Sequence, residues 1–577
     1  MSAPRKRPGP SPALRGAAAY RTERPERHVD LRLDGNEGVP PPAALLEVLR
    51  ASFPEIVRRY PDAAPLEKTI AARLGIAPER VLVTAGADEG LDRACRALVG
   101  PGDAIVLPSP TFEMLPRYAR LAGARVVEVP WAEGPYPAEG AIAAAASSSA
   151  RAIAVVSPNN PTGAVATEDD LLRLSAGAPE AFLLVDLAYA EFADVDLTPA
   201  ALALDNALVF RTLSKAWGLA GLRVGYVAAR DAEIVSWLRA AAGPYPVAGP
   251  SLALAAARLE SGEAEVRRFV ATVREERRTI AETLERLGAE PLPSQANFVF
   301  ARFRDAGYVR DALAGLGIAV RAFKGRDGLE DALRITCPGG AAPLERLLGG
   351  LAAALAPEAV LLDVDGVLAD DSKSYRLSVV ETARTFGVAV TSGEIAAMKA
   401  KGDANDDWAL TRRLLAEKGV DATLAEVTAR FEAIYQGANG LRGLRETETL
   451  IPARATLERL ARRFPLAAVT GRPRADALRF LEEKGVAPLF RAVVAREDGP
   501  MKPDPSTVRA ALARVGAKRA VMVGDTPDDV RAARAAGVVP LGVVAPGDAP
   551  SAAEEVLLGA GAARVLSSLD ELEALLP

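Results

Sequence analysis

The chain has 577 residues, with 49% hydrophobic and 25% charged side chains and a formal net charge of -5. That balance suits about three or four globular domains and gives no electrostatic footprint for a nucleic-acid partner. The single histidine, His28, and the distant cysteines Cys95 and Cys337 exclude a Ser-His-Asp triad, a His-rich zinc site and a cysteine metal cluster, so proton transfer falls to Lys, Asp, Glu or Tyr.

Residues 1–30, rich in Pro, Arg and Ala, read as an arm with helix only near 12–19. They lack the apolar core of a secretory signal. No uncharged apolar run reaches about 18 residues, so no membrane span is expected; the two distant, unpaired cysteines suit a reducing cytosol, and a cytoplasmic location is expected. Leu31–Leu33 reads as a short strand before the turn Asp34-Gly-Asn-Glu-Gly38, and 42–52 as a helix. From Pro65 the pattern becomes α/β. Strands are expected at 81–84, 104–107, 125–129, 152–157, 182–186, 207–212 and 224–229, each a short apolar run. Ala85-Gly-Ala-Asp-Glu-Gly90 reads as a turn before a helix from Leu91 to Val99. Helices dominate 231–288. Strands at 297–301 and 333–336 and a helix at about 342–355 suggest a smaller α+β unit. Pro357 marks a break. A new buried strand, Val360-Leu-Leu-Asp-Val-Asp-Gly-Val-Leu368, then opens a second α/β series with strands near 466–470, 492–495, 520–525 and 540–544, interrupted by a helical insert at 372–448.

The first chemically loaded stretch is Arg211-Thr-Leu-Ser-Lys-Ala-Trp-Gly-Leu-Ala-Gly-Leu-Arg223. The Lys215 amine can condense with an aldehyde as a Schiff base. Thr212, Ser214 and Arg223 suit a phosphate on the same cofactor, as do Gly86, Ala87 and Asp88 beside a helix start. Asp186 at a strand end can pair with a pyridinium nitrogen, Asn160 and Tyr189 can hold a phenolic oxygen, and Phe112 can stack on a flat ring. Pyridoxal 5'-phosphate has all of these features and supplies the electron sink.

These residues sit in Asn36-Glu37, Arg59-Tyr-Pro-Asp62, Thr84-Ala-Gly-Ala-Asp-Glu89, Ser157-Pro-Asn-Asn-Pro-Thr-Gly163, Asp186-x-Ala-Tyr189 and Ser214-Lys215 with Arg223. Over about residues 15–355 the chain resembles the fold type I, class I/II aminotransferases, and among them those that act on histidinol phosphate. The resemblance implies a large α/β domain at about 65–255 and a small α+β domain from 31–64 and 256–356. It implies that Lys215 carries the cofactor and moves the substrate proton, and that Asn36 lies near the substrate. Arg334 would hold the donor carboxylate or the acceptor phosphate, the latter with Arg321 and Tyr20. Tyr60 would reach the phosphate in the neighbouring subunit of a homodimer, and glutamate would be the donor. Leu187 stands where the family usually has Glu, and Phe112 where Tyr is frequent.

The second series carries Asp363-Val-Asp365-Gly, Thr470, Lys502 in Met-Lys-Pro-Asp, and Gly524-Asp525-x-x-x-Asp529. Over about 358–577 these four motifs, in this order, resemble the haloacid dehalogenase superfamily. The resemblance implies a Rossmannoid domain with a helical cap at about 372–448. Asp363 would be the nucleophile and Asp365 the acid-base group. Thr470 and Lys502 would hold phosphoryl oxygens, and Asp363, Asp365, Asp525 and Asp529 would bind Mg²⁺. Asn405 and Trp408 are candidate cap contacts to substrate, although an aromatic such as Trp408 more often serves a core. Consecutive chemistries in one chain point to a bifunctional enzyme of histidine biosynthesis. The rival is an aromatic or phospho-amino-acid aminotransferase, or a related decarboxylase, fused to a phosphatase for another phosphoester.

Overall fold

A computed structural model describes residues 12–14, 19, 29–402, 406–438 and 440–577. Most of the chain lies in two compact units. One takes Leu33–Arg302 and Ala332–Leu344, and the other takes Phe303–Asp331 and Glu345–Pro577. Among the described residues no helix is long and apolar enough to cross a membrane.

The first unit is built on a seven-stranded sheet. Its strands run, edge to edge, Val81–Thr84, Gly225–Ala229, Ala207–Thr212, Phe182–Asp186, Ala150–Val156, Ala104–Ser109 and Arg125–Pro130. All neighbours are parallel except those of Gly225–Ala229, which is antiparallel to both. The strands read as continuous apolar runs because helices cover both faces. Leu184, Leu208, Phe210 and Val227 share one core with Leu91, Cys95 and Leu98 of the helix Gly86–Leu98. That helix starts at Gly86, five residues earlier than its apolar pattern suggests. Gly86 is left-handed at φ +80, and an added Cβ there would lie 2.8 Å from an Arg223 nitrogen, so the bend needs glycine. The early start puts Ala87 and Asp88 in the first turn, where free N–H groups point outward. Phe298–Arg302 and Ala332–Thr336 pair antiparallel in the same unit.

The second unit carries a six-stranded, all-parallel sheet. Its order is Phe490–Val494, Leu466–Val469, Ala359–Leu362, Ala520–Gly524, Val539–Val543 and Arg564–Leu566. The order reverses at Ala359–Leu362, which has Leu466–Val469 on one side and Ala520–Gly524 on the other. Ligands of open parallel sheets bind at the carboxyl ends beside such a reversal. Asp363, Thr470 and Asp525 each follow one of these three strands. The insert forms four helices, Tyr375–Thr385, Ser392–Lys401, Asp407–Glu417 and Leu424–Gln436, with their own core around Val379, Leu414 and Phe431.

The α/β pattern restarts after Pro357, but packing divides the chain elsewhere. Tyr308 and Ala312, on the helix Ala306–Gly315, share a core with Ala353, Val539, Leu541 and Ala563. Arg564 closes the edge of this contact. Its Nε donates to Asp311 (2.9 Å), and its guanidinium lies 5.6 Å from the Tyr308 ring centre. The helix therefore buries its apolar stripe on the second sheet's side of the sequence boundary. Tyr308→Ala is expected to cost about 3–5 kcal/mol, as for other buried aromatics. Calorimetry checks this: the transition assigned to residues 357–577 must fall in temperature, and an unmoved transition refutes the shared core.

Candidate active sites

In the first unit, three adjacent strand ends deliver Ser157, Asp186 and Thr212 to one edge. Asp186 is buried and accepts from the Ala188 N–H (3.1 Å). Burial pushes its carboxyl up to about 7, the Asp88 charge adds to the rise, and the Ala188 bond and Lys215 oppose it. A buried carboxylate in that state lacks a cation beside it, and a protonated ring nitrogen would supply one. The Lys215 Nζ donates to the Gly35 carbonyl (3.2 Å) and stands 5.7 Å from the Tyr189 ring centre. The Tyr189 hydroxyl accepts from Asn36 Nδ2 (2.9 Å). Asn36 is buried, left-handed at φ 53, and fixed by Thr336 and Asn297. Strain of this kind persists only where neighbours over-determine it. Arg334 is buried and donates to Asn160 Oδ1 (2.6 Å) and the Asp34 carbonyl (2.7 Å). Lys215, Tyr189, Asn36, Asn160 and Arg334 are thus joined through direct contacts and the 34–36 segment.

The anion cradle forms beside them. The Ser214 hydroxyl accepts from Thr212 Oγ1 (2.9 Å). Arg223, also left-handed at φ 51, donates to Asp88 (2.8 Å). An added Cβ on Gly225 would lie 2.7 Å from the Ala87 nitrogen, so Ala87, Asp88 and Arg223 converge around a glycine-lined bend. These residues fit a phosphate held by a helix start, hydroxyls and a guanidinium.

The remaining expected residues have other neighbours. Phe112 packs at the margin of the large-sheet core. Tyr60 is 82% exposed and stacks on Tyr245 at 4.9 Å. Arg321 is on the strand Ile318–Ala322, in the other compact unit. Tyr20 lies outside the described residues. Leu187 is fully buried, so an apolar side chain there serves packing.

In the second unit, Asp363, Asp525 and Asp529 bring one carboxylate oxygen each to within 4.8 Å of one another. Lys502 ion-pairs with Asp363 (2.9 Å) and with Asp529, and also donates to the Val469 carbonyl (3.1 Å). One lysine against three buried carboxylates leaves negative charge that a divalent cation would neutralise. Burial raises the Asp363 carboxyl above the ordinary range, with Lys502 opposing. Burial raises Asp525 as well, reinforced by Asp529 and Asp363. Thr470 is buried and accepts from the Arg472 N–H (3.1 Å).

Asp365 departs from the expected metal set. Its Oδ1 accepts from Arg472 Nε (2.9 Å) and Nη2 (2.6 Å), which draws it out of the three-carboxylate cluster. Burial raises its pKa, but the charge and hydrogen bonds of Arg472 outweigh that and hold it below the ordinary range. Arg472 also donates to Glu448 (2.9 Å), whose other oxygen accepts from Ser374 (2.9 Å) and Tyr435 (3.1 Å). Ser374 and Glu448 flank the helical insert on its two sides, so both connections to it reach Asp365 through one guanidinium. Sequence reasoning missed Arg472, although Thr470-Gly-Arg472 after a strand end was a usable signal. Arg472→Ala would bury Asp365 and Glu448 without a counter-charge. The expected loss is about 3–5 kcal/mol. Denaturant titration of the second unit checks it, and a loss below about 1 kcal/mol refutes the buried network. Trp408 packs edge-on to Phe431 (6.3 Å) inside the insert's core, and Asn405 lies outside the described residues.

Residues 30–351 match the family described as aminotransferase class I and II, and this span is more than half of the chain. The chain belongs to the class I and II aminotransferases. Residues 357–537 match the haloacid dehalogenase-like hydrolases, so the aminotransferase is fused to a hydrolase domain. A histidinol-phosphate aminotransferase of Xanthomonas euvesicatoria pv. vesicatoria is 41% identical over 296 residues, covering 48% of this chain and 80% of the relative. An imidazoleglycerol-phosphate dehydratase of Phytophthora nicotianae is 44% identical over 237 residues, 38% of this chain; the chain spans about half of that relative, 52%. The crystal structure of histidinol-phosphate aminotransferase from Sinorhizobium meliloti in complex with pyridoxal-5'-phosphate is similar with a TM-score of 0.53 and 25% identity, covering 60% of this chain and 96% of that one. Fold type I, with a haloacid dehalogenase-like domain after it, is the architecture of this aminotransferase.

Proposed function

We propose that the aminotransferase half exchanges the amino group of glutamate with imidazole acetol phosphate to give histidinol phosphate, and that the hydrolase half then releases its phosphate. The observation that carries the first step is Lys215 and Asp186 at one sheet edge, with Arg334 held beside Asn160. The Xanthomonas relative's name supports the substrate, and both named relatives handle imidazole phosphoesters.

The cofactor of this reading is pyridoxal 5'-phosphate, which supplies the electron sink. Asp186 would pair with its ring nitrogen. Arg223, Ser214, Thr212 and the N–H groups of Ala87 and Asp88 would hold its phosphate. Asn160 and Tyr189 would bond its phenolic oxygen, and Phe112 would stack on its ring. Lys215 moves the proton to and from the substrate carbon, the only flexible amine the cluster contains for that task. Arg334 would leave Asn160 in part to grip the substrate anion, with Asn36 beside it. Tyr60, exposed on its own chain, serves the site of a second copy in a homodimer in the cytoplasm.

In the hydrolase half, Asp363 attacks phosphorus as the bond to the histidinol oxygen breaks, and water later attacks the aspartyl-phosphate. Lys502 and Thr470 hold the phosphoryl oxygens. Asp365 gives a proton to the departing histidinol oxygen and, charged again and held so by Arg472, takes the proton of that water. Asp363, Asp525 and Asp529 hold Mg²⁺.

Incubation with imidazole acetol phosphate and glutamate tests both halves. Histidinol and free phosphate in equal amounts are expected. Transamination no faster than with aromatic 2-oxo acids sinks the first substrate, and accumulation of histidinol phosphate sinks the second.

A further inference from the structure

The loop that carries Lys215 meets backbone at some points and borders a cavity at others. An added Cβ on Gly38 would stand 2.0 Å from the Lys215 carbonyl oxygen, and one on Gly218 would stand 2.2 Å from the Val39 carbonyl oxygen. Backbone thus meets backbone with no side chain between. Thr212, Leu213 and Trp217 also line a cavity of about 380 Å³, whose walls are mixed, with Leu259 and Val266 beside the charged Glu191 and Arg211. Along that side the loop is not close-packed and is held by the polar groups that line it.

One residue bridges this gap with directional bonds. Glu191 Oε1 accepts from Arg211 Nη2 (2.9 Å) and from the Trp217 indole Nε1 (3.2 Å). Arg211 is the last residue but one of the strand that enters the loop, four residues before Lys215, and Trp217 follows the lysine by two. Glu191 itself lies on the short turn Ala190–Phe192, directly after Asp186 and Tyr189. A single carboxylate therefore ties the segment that carries Asp186 to both flanks of the lysine. Arg211 is also held by Asp196 (3.0 Å) and Thr198 (2.6 Å), so it stays paired if Glu191 is lost. The Trp217 indole has Arg73 5.4 Å from its ring centre, and its carbonyl accepts from Arg258 (3.3 Å).

We propose that Glu191 is a positioning residue for transamination: its bonds to Arg211 and Trp217 hold the Lys215 loop at a fixed distance from Asp186 where the loop borders the cavity. The proposal rests on Lys215 being the reacting lysine. A charge-assisted hydrogen bond fixes geometry better than apolar contact beside a cavity. A shift of about 1 Å at a reacting group can cost on the order of 100-fold in rate.

The test uses the holoenzyme and three variants, Glu191→Ala, Glu191→Gln and Trp217→Phe. With glutamate deuterated at its α-carbon, single-turnover kinetics read the proton transfer that Lys215 performs. Glu191→Ala is expected to slow that step about 10- to 100-fold and raise its isotope effect, with the glutamate KM within about threefold. Glu191→Gln keeps an accepting oxygen and is expected to recover most of the rate. Trp217→Phe keeps the aromatic packing, removes one bond, and falls between; it carries the test if Glu191→Ala fails to fold. Amide hydrogen exchange of the 212–219 peptide, measured also on protein stripped of cofactor, is expected to quicken in the order Gln, Phe, Ala. Unchanged rate, isotope effect and exchange in Trp217→Phe, and in Glu191→Ala if it folds, with a lowered melting temperature alone, would overturn the proposal in favour of a purely structural role. Wild-type protein that fails to transaminate would instead remove the reading on which it rests.

Discussion

Lys215→Ala is expected to lower transamination at least about 10⁴-fold, while phosphate release by the same protein stays within about twofold. In the proposed mechanism the amine has two duties, covalent attachment of the cofactor and proton transfer, and general acid-base work alone contributes about 10²- to 10⁴-fold. No neighbour is suited to replace it. The chain's single histidine is His28. Tyr189 is buried, and its hydroxyl is bonded to Asn36. Asp186 holds its place at the far end of the cofactor in this reading. The second activity serves as an internal control, because the residues of the hydrolase site all belong to the other compact unit. Both activities are measured on one preparation. Transamination above about 1% of wild type would mean that another group moves the proton.

The sequence made both sites legible for one physical reason. Strands buried on both faces read as apolar runs, and the polar residue that ends such a run is the residue a parallel sheet presents at its edge. Asp186, Asp363 and Thr470 read as candidates in this way, whereas Thr212 and Asp525 are read from the motifs around Lys215 and Gly524. What stayed hidden needed side-chain partners distant in sequence. Asp365 reads as a metal ligand in the sequence, but Arg472, 107 residues away, bonds its carboxylate. Glu448 has no local signature, because its role comes from bridging Arg472, Tyr435 and Ser374. The partition of the chain was hidden too. An apolar stripe on 306–315 predicts burial, but periodicity does not say which core receives it, and Tyr308 lies among residues of the second sheet. The helix from Gly86 began early because a left-handed glycine allows the bend, while sequence alone favours a turn at Gly-Ala-Asp.

Asp363→Asn is the second large effect. Phosphate release is expected to fall at least about 10⁴-fold, since an amide oxygen is a poor nucleophile towards phosphorus. Stability is expected to hold or rise. Asp363 shares a buried cluster with Asp525 and Asp529, opposed there by Lys502, and burial already disfavours its charge. Removing that charge leaves Lys502 paired with Asp529 and lowers the repulsion that also raises Asp525. Activity and stability thus move in opposite directions, as happens where function requires a strained arrangement of charge. The paired measurement is phosphate release and the melting temperature of the second unit, both in metal-free buffer and in buffer with Mg²⁺. Metal-free protein is expected to melt at the wild-type temperature or above, whereas the gain on adding Mg²⁺ is expected to shrink because one anionic ligand is gone. A variant that melts several degrees lower without metal would show that Asp363 is held for structure, and one that still releases phosphate would assign the attack to another group.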